Sequence, residues 1–373
     1  MVAEMHSSWT GQSLVPTQAL SRYNRAMRPR ARGLIDSAVS GNSKDKDVAR
    51  SRRALLGWYD RHRRDLPWRK TRNPYRIWLS EIMLQQTRVA AVLDHYRIFL
   101  QRFPNVQALA AASEDAVLAA WSGLGYYRRA RSLHRCAQQI VEQHGGRFPR
   151  KSGALLALPG IGRYTAAAIA SIAFDEPVAV VDGNVERVLG RLTGIDLTTP
   201  ETWERAQSLL AISRPGDFNQ GLMELGATVC VPREPHCLEC PVRKWCVTQG
   251  EVPRIKPPSQ LRKKQIWCSL EVRNGNGNRK VRLVQRPRNA ALMAGMWELP
   301  QLSGPFSLLK DLTPWRTFRH SITTTNYTVR VLRNTPWIDV PQDAKGKWIA
   351  VDRIPRIPIT GLTRKILKAS GMI

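Results

Sequence analysis

Two carboxylates, a turn bracketed by glycines and a cluster of four cysteines are the side chains of this sequence that could do chemistry. Glu81 stands near the start of an apolar helical stretch, just before Met83-Leu84-Gln85-Gln86-Thr87-Arg88. On a solvated helix face it would need no special role. The polar Gln-Gln-Thr run behind it, in a basic and aromatic setting, instead suggests the wall of a cleft. Asp182 opens Asp182-Gly183-Asn184, which leads into the helical spacing of VERVLGRL, so it reads as a helix N-cap. A cap can also be a catalytic carboxylate, because a helix N-terminus keeps such a group ionised. In LLALPGIGRYTAAAIAS, residues 155–171, Gly160 and Gly162 form a tight turn before an alanine-rich helix. The first N–H groups of that helix have no internal partner, which makes a natural site for an anion such as a nucleic-acid phosphate. Helix–turn–helix connections also carry glycine for geometry alone. Cys230, Cys237, Cys240 and Cys246, spaced C-x6-C-x2-C-x5-C in a proline-rich span, could hold either zinc or a [4Fe–4S] cluster, and spacing leaves that choice open.

The elements that must position these groups sit in a strongly basic chain. There are 58 Lys and Arg against 29 Asp and Glu in 373 residues, a formal charge of +29, which points to a polyanionic partner bound with counterion release. The basic residues are spread along the whole chain, so a basic tail on a neutral domain does not account for them. No segment has the apolar length of a membrane span, and the first residues lack a secretory apolar core. Six cysteines, four of them clustered, suit a metal site in a reducing compartment better than a disulfide framework.

Residues 1–50 have little apolar periodicity and read as a flexible basic tail. Residues 51–249 read as a helical domain that ends with the cysteine loop at 230–246. Within it, Ile82, Val89, Val92, Tyr96, Phe99 and Phe103 recur at helical spacing over 78–103, and two further helices over 113–143 flank the Gly-rich aromatic join WSGLGYYRR. Residues 250–266 form a proline-rich basic linker. The region 267–373 is an α+β domain, with a hairpin turn at NGNGN, strands at YTVRVL and KWIAV, and a closing helix near 362–369.

LPGIGRYTAAAIAS, VVDGN and the cysteine loop together resemble the helix-hairpin-helix DNA glycosylase superfamily with an iron–sulfur loop. SEIMLQQTRV and WSGLGYYRRAR narrow the resemblance to the MutY family of adenine DNA glycosylases, and RNAALMAGMWELP, with FRHSIT more loosely, resembles that family's Nudix-like domain. The resemblance covers about residues 52–373. It implies a mainly α helix-hairpin-helix glycosylase domain with a [4Fe–4S] loop, plus a C-terminal α+β Nudix-like domain. It also implies removal of adenine mispaired with 8-oxoguanine or guanine in double-stranded DNA by a monomer. The expected location is cytoplasmic and DNA-associated, or nuclear or mitochondrial in a eukaryotic cell. In the related endonuclease III branch a lysine follows the hairpin and forms a Schiff base with the sugar. Tyr164 holds that place here and cannot form an imine, so the resemblance implies a monofunctional enzyme that leaves an abasic site.

By the same resemblance, Glu81 protonates adenine at N7 and Asp182 stays ionised against the developing positive sugar, with Asn184 and Tyr164 holding these groups in place. Gln86 and Tyr126 wedge the duplex. Thr87 and Leu124 touch the opposite base, Arg88 contacts DNA, Gly160 and Gly162 grip a phosphate, and Glu224 contacts the flipped adenine. Cys230, Cys237, Cys240 and Cys246 hold a structural [4Fe–4S] cluster. The family's Phe-Ser-His recognition loop falls at Ile322-Thr323-Thr324, where Thr323 keeps a hydroxyl but the aromatic and imidazole contacts are lost, which weakens the expected 8-oxoguanine preference. No glutamate-rich Nudix box is present, so no nucleotide hydrolysis is expected there. The alternatives are a pyrimidine-damage or mismatch glycosylase of the endonuclease III type, against which the long C-terminal domain argues, and a non-catalytic DNA-binding protein.

Overall fold

The computed structural model describes residues 41–250, 261–275, 278–302, 312–322, 324–334 and 346–373. Twelve α-helices and seven strands lie among them. The helical region contains α1 (Gly41–His62), α2 (Pro74–Leu84), α3 (Val89–Arg102), α4 (Val106–Ala110), α5 (Glu114–Trp121) and α6 (Tyr127–His144). It continues with α7 (Ser152–Leu156), α8 (Arg163–Phe174), α9 (Gly183–Thr193), α10 (Thr199–Leu209) and α11 (Pro215–Thr228). Two of the expected boundaries move. Helix α1 is already formed at Gly41, so the expected tail does not reach residue 50, and Val48 packs on the core. The stretch 78–103 is two helices, not one. It breaks at Gln85–Arg88, where Gln86 takes a left-handed backbone (φ 55°) that no continuous helix allows.

Two apolar cores build the helical region. One gathers Trp78, Phe99, Leu118, Trp121 and Ile169 from α2, α3, α5 and α8. The other gathers Leu55, Tyr59, Leu189, Phe218 and Leu225 from α1, α9 and α11, with Val242 and Trp245 of the cysteine loop. Val181 and Met223 pack against both, so the segment leading to Asp182 runs along the seam between them. Asn219 pins that segment: its Oδ1 accepts from Val180 N (3.1 Å) and its Nδ2 donates to Val178 O (2.9 Å).

The C-terminal region forms two small sheets around a third core. In one, β6 (Thr325–Arg333) lies between β1 (Arg262–Leu270), parallel to it, and β5 (Arg316–Ile322), antiparallel. In the other, β3 (Asn278–Gln285) pairs antiparallel with β2 (Val272–Gly275), β4 (Trp297–Glu298) and β7 (Lys347–Ala350). Strand β1 takes in the last five residues of the expected linker; residues 251–260 lie outside the described residues. The closing helix α12 (Gly361–Ala369) follows an N-cap at Thr360. This region docks on the helices: Ser122 Oγ and Tyr127 Oη donate to Ile359 O (2.8 and 3.3 Å), and Arg364 Nε donates to Ser122 Oγ (3.1 Å).

Helix α11 reaches its neighbours only because two of its residues lack side chains. A Cβ on Gly216 would lie 2.6 Å from Ser171 O, and one on Gly226 would lie 2.6 Å from Asn184 Cβ and 3.0 Å from Asn184 O. Gly226→Ala therefore pushes apart the pair of helices that carries Asn184, costs about 1–3 kcal/mol and lowers the melting temperature. Gly190→Ala, inside α9 where the nearest atom is an ordinary 3.6 Å away, raises stability by roughly 0.5 kcal/mol. Thermal melts of the two variants check this pair of opposite signs.

Candidate active site

Glu81 is the last buried polar residue before α2 runs out, and only 7% of its surface is exposed. It lines a cavity of roughly 620 Å³, a size typical of small-molecule sites. Tyr164, on the first turn of α8, donates its phenolic O–H to Glu81 Oε2 at 2.5 Å. Burial pushes the Glu81 carboxyl up to about 7. The Tyr164 bond works against that rise, nearby Asp182 adds to it, and Arg69 opposes it from farther away. Tyr164 itself is held well above its ordinary value by burial and by the Glu81 carboxyl, so it stays a donor.

Asp182 faces the same cavity as the N-cap of α9. Its Oδ1 accepts from Asn184 N (2.9 Å) and Val185 N (2.8 Å), and its Oδ2 accepts from Asn184 Nδ2 (2.9 Å). Asn184 Oδ1 in turn accepts from Arg187 NH2 (2.9 Å), whose Nε donates to Cys230 O (2.9 Å). Asn184 thus fixes the carboxylate of Asp182 and is itself fixed from behind. A carboxyl titrating near neutrality beside a second one held by helix N–H groups is the arrangement that divides acid and anion roles between two similar side chains.

Gln86 and Thr87 lie at the mouth of this cavity, and Arg88 is exposed at the start of α3. Tyr126 is 46% exposed, with a left-handed backbone (φ 48°), beside a second cavity that also touches Gln86 and Gly160. Gly160 needs its freedom: its φ is +76°, and a Cβ there would lie 2.5 Å from Ser132 Cβ. Gly162 is the extended N-cap of α8 and has open space where a side chain would stand. Cys230, Cys237, Cys240 and Cys246 all line one cavity at the far end of α9, where Arg191 NH1 approaches Cys230 Sγ at 3.3 Å.

Two of the expected residues, Leu124 and Glu224, sit otherwise than expected, and a third lies outside the described residues. Leu124 is only 6% exposed and belongs to the apolar core, so its side chain is not presented to a base. Glu224 lines the cavity, but its carboxylate is fully buried and already occupied: Oε1 accepts from Arg64 N and Nε (3.0 and 2.8 Å), and Oε2 accepts from Arg64 NH2 and Arg69 NH2 (2.7 and 2.6 Å). What it presents to the cavity is the two guanidinium groups it holds. Thr323 lies outside the described residues.

The stretch LPWRKTRNPY, residues 66–75, was given no role from the sequence, yet it supplies Leu66, Trp68 and Arg69 to the cavity wall, with Arg64 just before it. Its density of Arg and Trp was the available signal. Arg129, whose contacts reach both exposed turns, was noted only as one basic residue among several.

Residues 79–211 match the model of the HhH-GPD superfamily base excision DNA repair protein. The chain is 40% identical to the adenine DNA glycosylase of Rattus norvegicus over 337 aligned positions, which cover 72% of this chain and 65% of that protein. It is 35% identical to the adenine DNA glycosylase of Homo sapiens, over 90% of this chain and 77% of that protein. The chain belongs to the adenine DNA glycosylase family. It spans 65% of the length of the rat relative, and the same share of the mouse one. Among solved structures, that of a thermostable thymine-DNA glycosylase matches with TM-score 0.51 and 32% identity, over 55% of this chain and 97% of that one. The helical region therefore has the glycosylase fold of this superfamily, followed by a sheet-containing region. Among the described residues no helix is long and apolar enough to cross a membrane.

The cavity holds two buried glutamates in opposite states, and stability should report both. The folded Glu81 carboxyl titrates near 7 against an ordinary value of 4.5. Its burial therefore costs nothing below the ordinary value. The cost grows as pH rises through this window and is complete above 7, at roughly 3 kcal/mol. Glu81→Gln should melt above the parent at alkaline pH and level with it in mild acid. Burial raises the Glu224 carboxyl, but its bonds to Arg64 and Arg69 outweigh that and bring it down to about 2. Glu224→Gln leaves those cations without their partner and should lose about 3 kcal/mol near neutrality. Denaturant unfolding of both variants across pH reads the contrast.

Proposed function

We propose that this chain is a monofunctional DNA glycosylase that extrudes adenine from double-stranded DNA and hydrolyses its N-glycosidic bond, leaving an abasic site. The observation that carries this reading is Glu81, buried with a carboxyl that titrates near 7 and bonded to Tyr164 at 2.5 Å. It faces the cavity wall that Asp182 shares. Below about pH 7 Glu81 holds a proton, which it donates to N7 of adenine. The C1′–N9 bond then breaks with its electron pair passing to the base. Asp182, capping the helix N-terminus, faces C1′ and stabilises the oxocarbenium-like sugar. Water adds to C1′ and its proton returns to Glu81. Asn184 orients Asp182, and Tyr164 orients Glu81. An adenine inside the stack cannot reach Glu81, so the base must be flipped at a cost of a few kcal/mol. Gln86 and Tyr126 fill the gap it leaves. Gly160 and the N-terminus of α8 at Gly162 hold a phosphate.

Tyr164 supplies no amine at the position where the endonuclease III branch places its lysine, which supports base release without strand cleavage. The 8-oxoguanine preference rests on the sheet region, whose β5–β6 hairpin has its tip at Ile322–Thr325. Its loop differs from the family's, so guanine opposite adenine is expected to be accepted nearly as well. The sheet region is read as the family's Nudix-like domain, spanning about residues 267–373, and the helical domain as ending near 249. The protein acts as a monomer.

Cys230, Cys237, Cys240 and Cys246 would hold a [4Fe–4S] cluster. They share one cavity with apolar walls and Arg191 beside a sulfur. Among the described residues no three His, Cys, Asp or Glu side chains converge as ligands of a single ion. Four thiols around a common apolar space are the donor set that either group takes, and the family resemblance favours the cluster. When bound, the group supplies structural cross-linking of the loop and no chemistry at the sugar.

Single-turnover incubation with duplexes carrying adenine opposite 8-oxoguanine, guanine or thymine tests the reading. Adenine should be released, strand breaks should follow only after alkali, and Glu81→Gln should release none. The anaerobically purified protein should show a broad violet absorption band. Strand cleavage without alkali, or release of a pyrimidine instead, would move the chain to the endonuclease III alternative.

A further inference from the structure

We propose that Arg129 is a positioning residue that locks the two exposed turns, at Gln86 and Tyr126, to each other and to the end of the helix that carries Glu81. This rests on the reading above, in which those turns enter the duplex. Arg129 lies on the first turn of α6, and its guanidinium is the meeting point of three segments. NH1 donates to Ile82 O (2.8 Å), Met83 O (2.9 Å) and Gln85 O (2.5 Å), the carbonyls that close α2 immediately after Glu81. NH2 donates to Thr87 Oγ1 (3.1 Å), on the far side of Gln86, and to Leu124 O and Gly125 O (both 3.3 Å), directly before Tyr126. The guanidinium carbon also lies 5.5 Å from the Trp121 ring and 5.4 Å from the Tyr126 ring.

The arrangement answers a physical need. The last carbonyls of a helix lack internal partners, and a cation at that end is favourable. Gln86 and Tyr126 both hold left-handed backbones without being glycine, and such residues stay there only when their surroundings over-determine them. Neither turn has regular structure to fix it. A planar fork with fixed donor directions can serve acceptors on both sides at once, which a lysine ammonium cannot. One side chain thereby sets the distance between the two turns. Glu81 itself is held by burial and by Tyr164, so the lock acts on the turns rather than on its carboxyl.

The consequence is specific to base extrusion. With the turns unlocked, the gap left by a flipped adenine is poorly filled and the flipping equilibrium suffers. An adenine that needs no extrusion is affected much less. Arg129→Lys and Arg129→Ala should be compared with the parent on two duplexes: adenine paired opposite guanine, and adenine opposite a tetrahydrofuran abasic analogue. Single-turnover release from the paired duplex should fall on the order of 10- to 100-fold, the rate equivalent of the few kcal/mol that flipping costs. Release from the gapped duplex should change less than about 3-fold. Fluorescence of 2-aminopurine in place of the adenine should rise more slowly or to a lower level with either variant. Should Arg129→Ala show no cooperative melt, Arg129→Lys, which keeps the charge, carries the comparison. Equal losses on both duplexes, or unchanged 2-aminopurine fluorescence, would overturn the role. If the parent protein releases no adenine from either duplex, the proposed function has failed and this inference falls with it.

Discussion

A carboxylic acid that keeps its proton near neutrality must be buried away from water and denied a cation. That requirement shapes the interior around Glu81. Burial, with a smaller push from Asp182, raises its carboxyl, while the one direct partner, Tyr164, is itself too strongly held as a neutral phenol to give up its proton. Arg69 is the cation that could undo this. Its NH2 instead donates to Glu224 Oε2 (2.6 Å), which also accepts from Arg64 NH2 (2.7 Å). Two buried glutamates on facing helices thus hold opposite charge states because one of them has both arginines.

Asp182 is fixed by a different device. Its two oxygens are taken up by the start of α9 and by Asn184, and Asn184 is held by Arg187, which reaches Cys230 O. Farther along the same helix, Arg191 donates to Val231 O and Pro232 O (2.8 and 2.7 Å). Helix α9 therefore carries Asp182 at one end and braces the cysteine loop at the other. Gly226, pressed against Asn184, brings α11 into the same unit. A loop with little regular structure can matter to a carboxylate one helix away because the side chains between them are in direct contact.

Much of this was legible in the sequence, and the gaps have physical reasons. Asp182 was readable as a cap because Asp-Gly-Asn before an amphipathic run is a local signal. The turn at Gly160 was readable for the same kind of reason. The break at Gln85–Arg88 was not, because apolar residues on both sides keep the helical period across it and no proline or glycine marks the interruption. The fate of Glu224 was hidden as well: its partners Arg64 and Arg69 lie some 155–160 residues away in sequence, and pairing at that range leaves no local pattern. Leu124 was placed by resemblance alone, and its burial left no local signal: the flanking glycines mark a turn, which folds its one aliphatic side chain inward.

The two left-handed turns show why glycine is absent where geometry favours it. Gly123 and Gly125 carry positive φ angles of 112° and 70°, and Tyr126 follows at 48°. The chain spends glycine on the approach and then accepts strain at the residue whose side chain projects outward. Gln86 does the same without any glycine beside it. A left-handed non-glycine residue costs about 1 kcal/mol or more, and two of them face the same surface a short distance from Glu81. That cost is tolerable only where a side chain is wanted in a direction no relaxed backbone provides. Arg129 offsets it from below, by donating to the carbonyls that each strained turn leaves exposed.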